Sequence, residues 1–306
     1  MTTRSRFRGS LLGLATGDAV GTTLEFTPRG AVTPITDMVG GGPFHLPAGA
    51  WTDDTSMALC LATSLVELGR FDPNDQMERY VRWYKEGYLS SIGRCFDIGG
   101  ATSAALKRFQ KSGNPYSGNP DPFSAGNGSI MRLAPIPMFF CGDLSATVHF
   151  AAESSRTTHA AVECLDACRL FGAILYKALN GMDKEAILFG PHFPNLPPIA
   201  LTPKIQIIAD GAYRDLDANA IKGSGYVVES LTAALWCFWT TDDYRSAVLR
   251  AANLGDDADT TAAVCGQLAG AFYGEEGIPQ AWLDKLVMRD EITGLADSLY
   301  SRHEPR

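Results

Sequence analysis

The stretch SMALCLATSLVELG, residues 56–69, predicts an amphipathic helix. Its apolar residues recur at three- and four-residue spacing, which places them on one face of a helix. These periodic positions are Met57, Leu61, Leu65 and Leu68. Gly69 follows the last of them, where a glycine commonly ends a helix in the left-handed conformation. This stretch therefore indicates a helix that ends at or near residue 68.

The same helical period recurs along the chain, whereas strand-like alternation never persists beyond a few residues. Further periodic stretches are residues 160–180, 225–239 and 257–273. Several of these are rich in Ala, Gly and Cys and apolar on most faces, which favours burial inside a multi-helix body. The connecting loops at 27–50, 111–129 and 190–204 are long and rich in Gly and Pro. Because no linker or shift in composition marks a boundary, we expect one all-α domain over residues 1–306.

Composition excludes some classes of function. The chain has 306 residues, a hydrophobic fraction of 45% and a formal net charge of -8. That charge argues against general binding to nucleic acid or to a membrane surface, because phosphates would be repelled. Gly17 and Asp18 interrupt the only N-terminal apolar run, so we expect no signal peptide. No stretch reaches the ~18–20 apolar residues of a membrane span. The seven cysteines, without a CxxC pair, indicate free thiols in a reducing compartment, so a cytoplasmic protein is expected.

Two acidic clusters share one plan, in which aspartates and threonines precede an apolar helix. They lie in WTDDTSMALCLA, residues 51–62, and DDADTTAAVCGQLAG, residues 256–270. One interpretation is N-capping, because Asp and Thr side chains accept hydrogen bonds from free helix amides. However, each cluster holds more carboxylates than capping can use. Oxygen ligands of this kind suit Mg²⁺, Mn²⁺ or Ca²⁺, and the five histidines show no zinc spacing. If the two helix starts face each other, they could hold two metal ions.

Two glycine-rich stretches could bind phosphate through backbone amides. They are SAGNGSIMRLAP, residues 124–135, and DIGGATSAALKRF, residues 97–109, and neither matches a P-loop or a GxGxxG motif. A glycine-rich turn that leads into a helix exposes amides that can bind an anion. Each stretch could equally be a plain turn. Taken alone, His159 could likewise be a structural histidine, and Glu25 a surface or capping carboxylate.

Taken in order, the motifs resemble the signature blocks of the ADP-ribosylglycohydrolase family, which includes the dinitrogenase reductase-activating glycohydrolases. The blocks are GSLLGLATGDAVGTTLEF, WTDDTSMAL, DIGGATSAAL, GNGSIMRLAPIPMFF, THAAVECLDACRLFGAIL, GYVVESLTAALWCF and NLGDDADTTAAVCGQLAGAFYG. They extend from about residue 6 to 275. The resemblance implies a single-domain orthogonal bundle of helices with two Mg²⁺ or Mn²⁺ ions in a cleft. It also implies hydrolysis of the bond between C1″ of ADP-ribose and a protein side chain, most often arginine.

The resemblance assigns site residues by their motifs. The implied metal ligands are Thr52, Asp53, Asp54, Asp257, Asp259 and Thr260. The implied contacts to ADP-ribose are Glu25, Gly99, Gly126, Asn127, Gly128, Ser129, Met131 and His159. The candidates for the acid and the base of the reaction are Asp97 and Glu25. The resemblance places Glu25 in a mobile flap near the distal ribose. The implied partner is a mono-ADP-ribosylated protein, with ADP-ribose as the product, and we expect a monomer.

The sequence departs from the family pattern at two places. Asp256 replaces the second glycine of the usual G-G-D-A-D-T block, and this adds charge beside the expected metal centre. Gly100 and Ala101 stand where Asn and Thr often follow the D-I-G block. Three alternatives stay open at this point. They are hydrolysis of an O-linked modification on serine or nucleic acid, a regulator that binds ADP-ribose without turnover, and acidic clusters that act only as caps.

Overall fold

The computed structural model describes residues 3–303, and within them it contains fourteen α-helices and no β-strand. The helices are α1 (Thr3–Gly21), α2 (Asp53–Leu68), α3 (Pro73–Glu86), α4 (Gly100–Ser112), α5 (Pro135–Phe139), α6 (Leu144–Arg156), α7 (Val162–Leu179), α8 (Lys184–Phe189), α9 (Pro203–Ala209), α10 (Val227–Trp239), α11 (Tyr244–Ala252), α12 (Ala258–Tyr273), α13 (Gln280–Leu283) and α14 (Arg289–Ser301). The all-α prediction is therefore confirmed.

The predicted helices end close to where the sequence places them. Helix α2 ends at Leu68, and Gly69 follows with a φ of 66° and donates its amide to the carbonyl of Leu65. A glycine ends α3 and α4 in the same way, since only glycine enters this region without a steric cost. The periodic stretches at 160–180, 225–239 and 257–273 correspond to α7, α10 and α12.

Helices α1 and α12 pack with their backbones in direct contact, because glycines line the seam. Gly9, Gly13, Gly17 and Gly21 recur every four residues on one face of α1. A Cβ atom added at Gly13 would lie 3.2 Å from the carbonyl carbon of Gly266 and 3.1 Å from Cα of Gly270. The helices run antiparallel, since Gly9 meets Gly270 whereas Gly21 meets Ala258. The end of α1 is consequently held beside the start of α12.

The buried apolar side chains of the described residues form a core that runs through the helices on either side of this seam. Its largest members include Trp51, Trp83 and Trp282. The cysteines expected in apolar helical contexts are buried, and all seven thiols are free. Within residues 3–303, no helix is long and apolar enough to cross a membrane.

Candidate functional site

The functional residues expected from the sequence converge on one cavity of about 640 Å³. Its walls come from the starts of α2, α4 and α12 and from the loops that precede them. The expected site residues that line it are Glu25, Asp53, Asp97, Gly99, Gly126, Asn127, Gly128, Met131, His159, Asp257, Asp259 and Thr260. Three others, Thr52, Asp54 and Ser129, lie behind this surface and are buried. The structure thus gathers residues that are as much as 235 positions apart in the chain.

The amides at the start of α2 are capped by a residue of another helix. Asp18 of α1 is fully buried, and its Oδ1 accepts a hydrogen bond of 2.9 Å from the amide of Thr52. Its Oδ2 accepts from the amide of Thr55 at 3.1 Å, and both threonine hydroxyls also donate to this carboxylate. The helix is capped from outside, and Thr52, at its N-cap position, contributes no side-chain cap.

Helix α12 follows the same arrangement. Oε2 of Glu25 accepts from the amide of Ala258 at 2.9 Å and from that of Asp259 at 3.4 Å. The N-cap residue Asp257 makes no capping hydrogen bond with its own side chain. Within the acidic clusters, Oδ1 of Asp259 accepts from the amide of Thr260 at 2.6 Å, but capping does not account for the other carboxylates. Asp18 and Glu25 accept hydrogen bonds from the first amides of α2 and α12. The clustered carboxylates therefore face the cavity and one another.

The two helix starts face each other directly. Oγ1 of Thr260 donates to Oδ2 of Asp54 at 3.3 Å, and Oγ1 of Thr52 donates to Oδ2 of Asp259 at the same distance. These contacts join residues more than 200 positions apart in sequence. The two threonines are thus interleaved with the aspartates of the opposite helix start.

The donor set fits a hard divalent cation. Carboxylate oxygens of Glu25, Asp257 and Asp259 lie within 4.8 Å of one another. Oδ1 of Asp54 is buried and has no hydrogen-bond partner among the residues that the structure describes. A buried oxygen without a partner is costly unless a cation or water meets it. An all-oxygen set of this kind suits Mg²⁺, Mn²⁺ or Ca²⁺ rather than zinc.

The electrostatics of the cluster favour a cation among its carboxylates. Burial, followed by repulsion from Asp259, raises the pKa of Asp53 well above its ordinary value. Burial, followed by the charge of Asp18, does the same to the pKa of Asp54. Burial and Asp259 raise the pKa of Asp257 to about 7 and that of Asp97 to about 10. Carboxylates crowded in this way are stabilised in their charged form when a cation lies between them.

A second part of the cavity lining, called the amide wall below, is rich in backbone amides. Helix α4 begins at Gly100 without a side-chain cap, so its first amides stay available beside the cavity. The amides of Gly128 and Ser129 likewise have no acceptor in the part of the chain that the structure describes. Contrary to the expectation of a turn leading straight into a helix, residues 126–134 form successive turns, and α5 begins only at Pro135.

Asn127 connects the two walls. Its side-chain amide donates to Oδ2 of Asp257 at 2.6 Å and to the hydroxyl of Ser230 at 3.1 Å, while its backbone amide donates to the carbonyl of Gly225. Asn127 therefore orients an aspartate of the acidic cluster, in addition to lining the cavity. The hydroxyl of Ser129 lies away from the cavity, within hydrogen-bonding distance of Ser155 and Cys168.

His159 lies between α6 and α7, directly beneath the glycine-rich turn. A Cβ atom added at Gly128 would lie 2.6 Å from Cε1 of its ring, so glycine is needed there. Nδ1 of His159 is 2.8 Å from the hydroxyl of Thr158. Burial, together with the nearby Arg132 cation, lowers the pKa of His159 to about 3. The ring is consequently neutral at physiological pH. It lines the cavity as a hydrogen-bonding group and does not act as a cationic acid.

Asp18 and Arg132 support the site although the sequence did not single them out as site residues, and the structure adds a backbone reason for the departure at Asp256. Asp18 lies in the GDA part of the first block, where an aspartate inside an apolar helix was an available signal. Arg132 is fully buried behind the cavity, where it donates to the carbonyl of Gly128 at 2.9 Å and to Thr158 Oγ1 at 2.7 Å. Asp256 has a φ of 57°, which explains why a glycine commonly occupies this position in the family.

The fold and the paired acidic helix starts define a class of protein, and comparison with known families identifies it. The family model described as ADP-ribosylglycohydrolase matches residues 1–306. A solved structure titled ADP-ribosylglycohydrolase-related protein complex superposes with a TM-score of 0.87 at 42% identity, covering 99% of each chain. The chain belongs to the ADP-ribosylglycohydrolase family and is a glycosidase-type hydrolase.

Among named relatives, the chain is similar to the ADP-ribosylarginine hydrolase Tri1 of Serratia proteamaculans (strain 568). The two are 47% identical over 293 residues, which cover 96% of this chain and 78% of the relative. The ADP-ribosylarginine hydrolase Tri1 of Pseudomonas putida (strain GB-1) is 49% identical over 298 residues, which cover 97% of this chain and 78% of the relative. The ADP-ribosyl-[dinitrogen reductase] glycohydrolase of Rhodospirillum rubrum is 32% identical over 295 residues, which cover 94% of this chain and 92% of the relative. Members of the family are metal-dependent.

Proposed function

We propose that this chain is a metal-dependent ADP-ribosylhydrolase that releases ADP-ribose from mono-ADP-ribosylated arginine side chains of proteins. The observation that carries the proposal is the cavity itself, whose lining combines the acidic starts of α2 and α12, which face each other, with free backbone amides at the start of α4. The arginine acceptor is supported by relatives that are named ADP-ribosylarginine hydrolases and are 47–49% identical to this chain.

The amide wall suits the anionic part of the ligand. A pyrophosphate needs donors, and backbone amides at the start of α4 and in the turn around Gly128 provide them without a basic side chain. Gly99, Gly126 and Met131 line the same wall and leave room for the ligand. This arrangement explains how a chain with a net charge of -8 can bind a ligand with two phosphates.

The acidic wall suits two divalent cations, Mg²⁺ or Mn²⁺. The residues proposed to hold them are Thr52, Asp53, Asp54, Asp257, Asp259 and Thr260. When bound, such ions act as Lewis acids that fix the ribose hydroxyls and stabilise developing charge. Asp18 and Asn127 hold this wall in place, because each accepts from or donates to one of the proposed ligands.

Glu25 and Asp97 have different tasks in the proposed reaction. Glu25 is engaged with the first amides of α12, so it orients that helix start while lining the cavity. Asp97 lines the cavity beside the cluster and has a φ of 55°, a strained conformation of a kind found at functional sites. We therefore assign proton transfer to the leaving guanidine to Asp97, with its raised pKa keeping a proton available.

The remaining properties are proposed on the same basis. The chain acts as one domain over residues 1–306, as a monomer, on mono-ADP-ribosylated proteins, and yields ADP-ribose. Seven free thiols support a reducing, cytoplasmic location.

The decisive experiment measures release of ADP-ribose from arginine-modified and serine-modified peptides, with and without EDTA. We expect release from the arginine peptide that EDTA abolishes. Asp53→Asn and Asp257→Asn should each lower the rate by about 100-fold or more, because each loses a charged oxygen at the proposed metal wall. Asp242→Asn, at an exposed aspartate outside the cavity, is the matched control.

Each alternative predicts another outcome of this assay. Cleavage of the serine peptide alone would show that the acceptor assignment is wrong. Binding of ADP-ribose without any release in excess Mg²⁺ would indicate a regulator without turnover. Full activity of both asparagine variants would mean that the acidic clusters are not metal ligands.

A further inference from the structure

Three phenylalanines form a continuous row at the mouth of the cavity. The ring centroids of Phe26 and Phe44 are 6.2 Å apart at an interplanar angle of 73°. Those of Phe44 and Phe96 are 5.3 Å apart at 64°. Phe26 lines the cavity, whereas Phe44 and Phe96 are not part of its lining and join it through Phe26. Both contacts are edge-to-face, so each ring keeps a face that a ligand can cover.

The row has no part in the hydrophobic core. None of the three phenylalanines belongs to the core or packs against it in the described part of the chain. Phe26 is 66% exposed, although burying an aromatic side chain is normally favourable. Phe44 and Phe96 are half-buried, so the exposed part of the row is Phe26 beside the cavity, and this exposure is not a by-product of core packing.

The backbone of Phe26 is held in an uncommon conformation. Its φ is 58°, which is rare for an aromatic residue. Its amide donates to the carbonyl of Asp256 at 2.7 Å, and the amide of Asp256 donates to the carbonyl of Thr27 at 2.8 Å. This pair of hydrogen bonds fixes the Phe26 backbone at the mouth of the cavity.

The row joins the two segments that carry the proposed proton-transfer and orienting carboxylates. Phe26 directly follows Glu25, Phe96 directly precedes Asp97, and Phe44 bridges the two rings. A group that leaves from between these carboxylates would therefore meet aromatic faces on its way out. Asp256, with an exposed side chain, adds a negative charge to the same rim.

We propose that the row of Phe26, Phe44 and Phe96 is the acceptor subsite, where it stacks against the guanidinium of the ADP-ribosylated arginine. The inference rests on the proposed function and adds the specificity determinant for the acceptor. A guanidinium is planar and weakly hydrated, so it stacks well on aromatic faces. The negative rim favours the same cation, whereas a neutral serine acceptor gains from neither feature.

The test measures two quantities, KM for an arginine-ADP-ribosylated peptide and the dissociation constant of ADP-ribose. They are compared among the wild type, Phe26→Leu, Phe96→Leu and the double variant. The double variant should raise KM for an arginine-ADP-ribosylated peptide by about five- to tenfold, as expected when two cation–π contacts are lost. The dissociation constant of ADP-ribose should stay within about twofold, because ADP-ribose lacks the guanidinium. Phe26→Tyr keeps an aromatic face and should restore KM to the wild-type value. Phe193→Leu, at a half-buried phenylalanine outside the cavity, is the matched control.

Two results would overturn the inference. One is an unchanged KM in the double variant. The other is an equal loss of affinity for ADP-ribose, which would assign the row to the ADP-ribose moiety. If the wild-type chain releases no ADP-ribose from arginine peptides, the proposed function fails on its own. In that case the binding affinity of the uncleaved peptide still decides the role of the row, since it should fall in the double variant while that of ADP-ribose does not.

Discussion

Replacing Gly13 by alanine tests whether the glycine seam holds α1 against α12. The new Cβ atom would lie closer than 3.0 Å to the carbonyl oxygen of Gly266 and 3.1 Å from Cα of Gly270. All of these neighbours are backbone atoms, so no side-chain rotation can relieve the contact. The two helices would have to separate by several tenths of an ångström along a fully buried seam.

The expected loss of stability is the difference between two effects. Overpacking in a well-packed interior costs about 1–3 kcal/mol, and a clash against rigid backbone belongs at the upper end. Alanine favours the helical conformation over glycine by about 1 kcal/mol, which offsets part of that cost. We therefore expect Gly13→Ala to lower the free energy of unfolding by about 2 kcal/mol.

The measurement is urea denaturation of the wild type and of two variants, Gly13→Ala and Gly294→Ala. Gly294 lies inside helix α14 with no atom within 4 Å of its added Cβ. Alanine should therefore stabilise the protein there, by up to about 1 kcal/mol. Opposite shifts of the two midpoints are expected. If Gly13→Ala is as stable as Gly294→Ala, the close approach of the two backbones cannot be what the seam depends on.

Two further predictions follow from buried cations and histidines. Arg132→Lys should lower the free energy of unfolding by about 2 kcal/mol, because Arg132 reaches Gly128 and Thr158 through two separate nitrogens and a single ammonium lacks that planar fork. An unchanged thermal midpoint would contradict this. Burial and the Lys177 cation lower the pKa of His192 to about 4, below the ~6.5 of an unfolded chain. The unfolded state alone binds that proton between these values, so the contribution of His192 to stability falls as pH drops through this window, by about 2 kcal/mol between pH 7 and 5. His192→Gln should remove this contribution, so the stability of the variant relative to the wild type should rise by about 2 kcal/mol from pH 7 to pH 5, and an unchanged difference would refute the assignment.

The local features of the fold could be predicted because their causes are local. The apolar period of residues 56–69 and the glycine after it determine where α2 ends, and both are visible in the sequence. The same holds for α12 and for the two acidic helix starts. The confirmed fold class follows from this periodicity and from the family blocks.

The contacts between distant residues could not be predicted in the same way. A sequence suggests that a helix start is capped by its own neighbours, yet Asp18 caps Thr52 from 34 positions away and Glu25 caps Ala258 from 233. Two signals were present in the sequence and went unused. One was the four-residue glycine spacing of α1, and the other was the aspartate at position 18 within it. The left-handed backbone of Asp256 is a further case, since it depends on its pairing with the loop at Phe26.

The pairing of α1 with α12 also bears on how the chain is made. Helix α1 is synthesised well before α12, the helix that covers its glycine face and begins at Ala258. At ~5–20 residues per second, that face waits roughly 10–50 s for its partner during translation. A face of glycines offers little apolar side chain to other nascent chains in this interval. The acidic cavity cannot assemble before α12 has been synthesised, because Asp257 and Asp259 lie at the start of that helix.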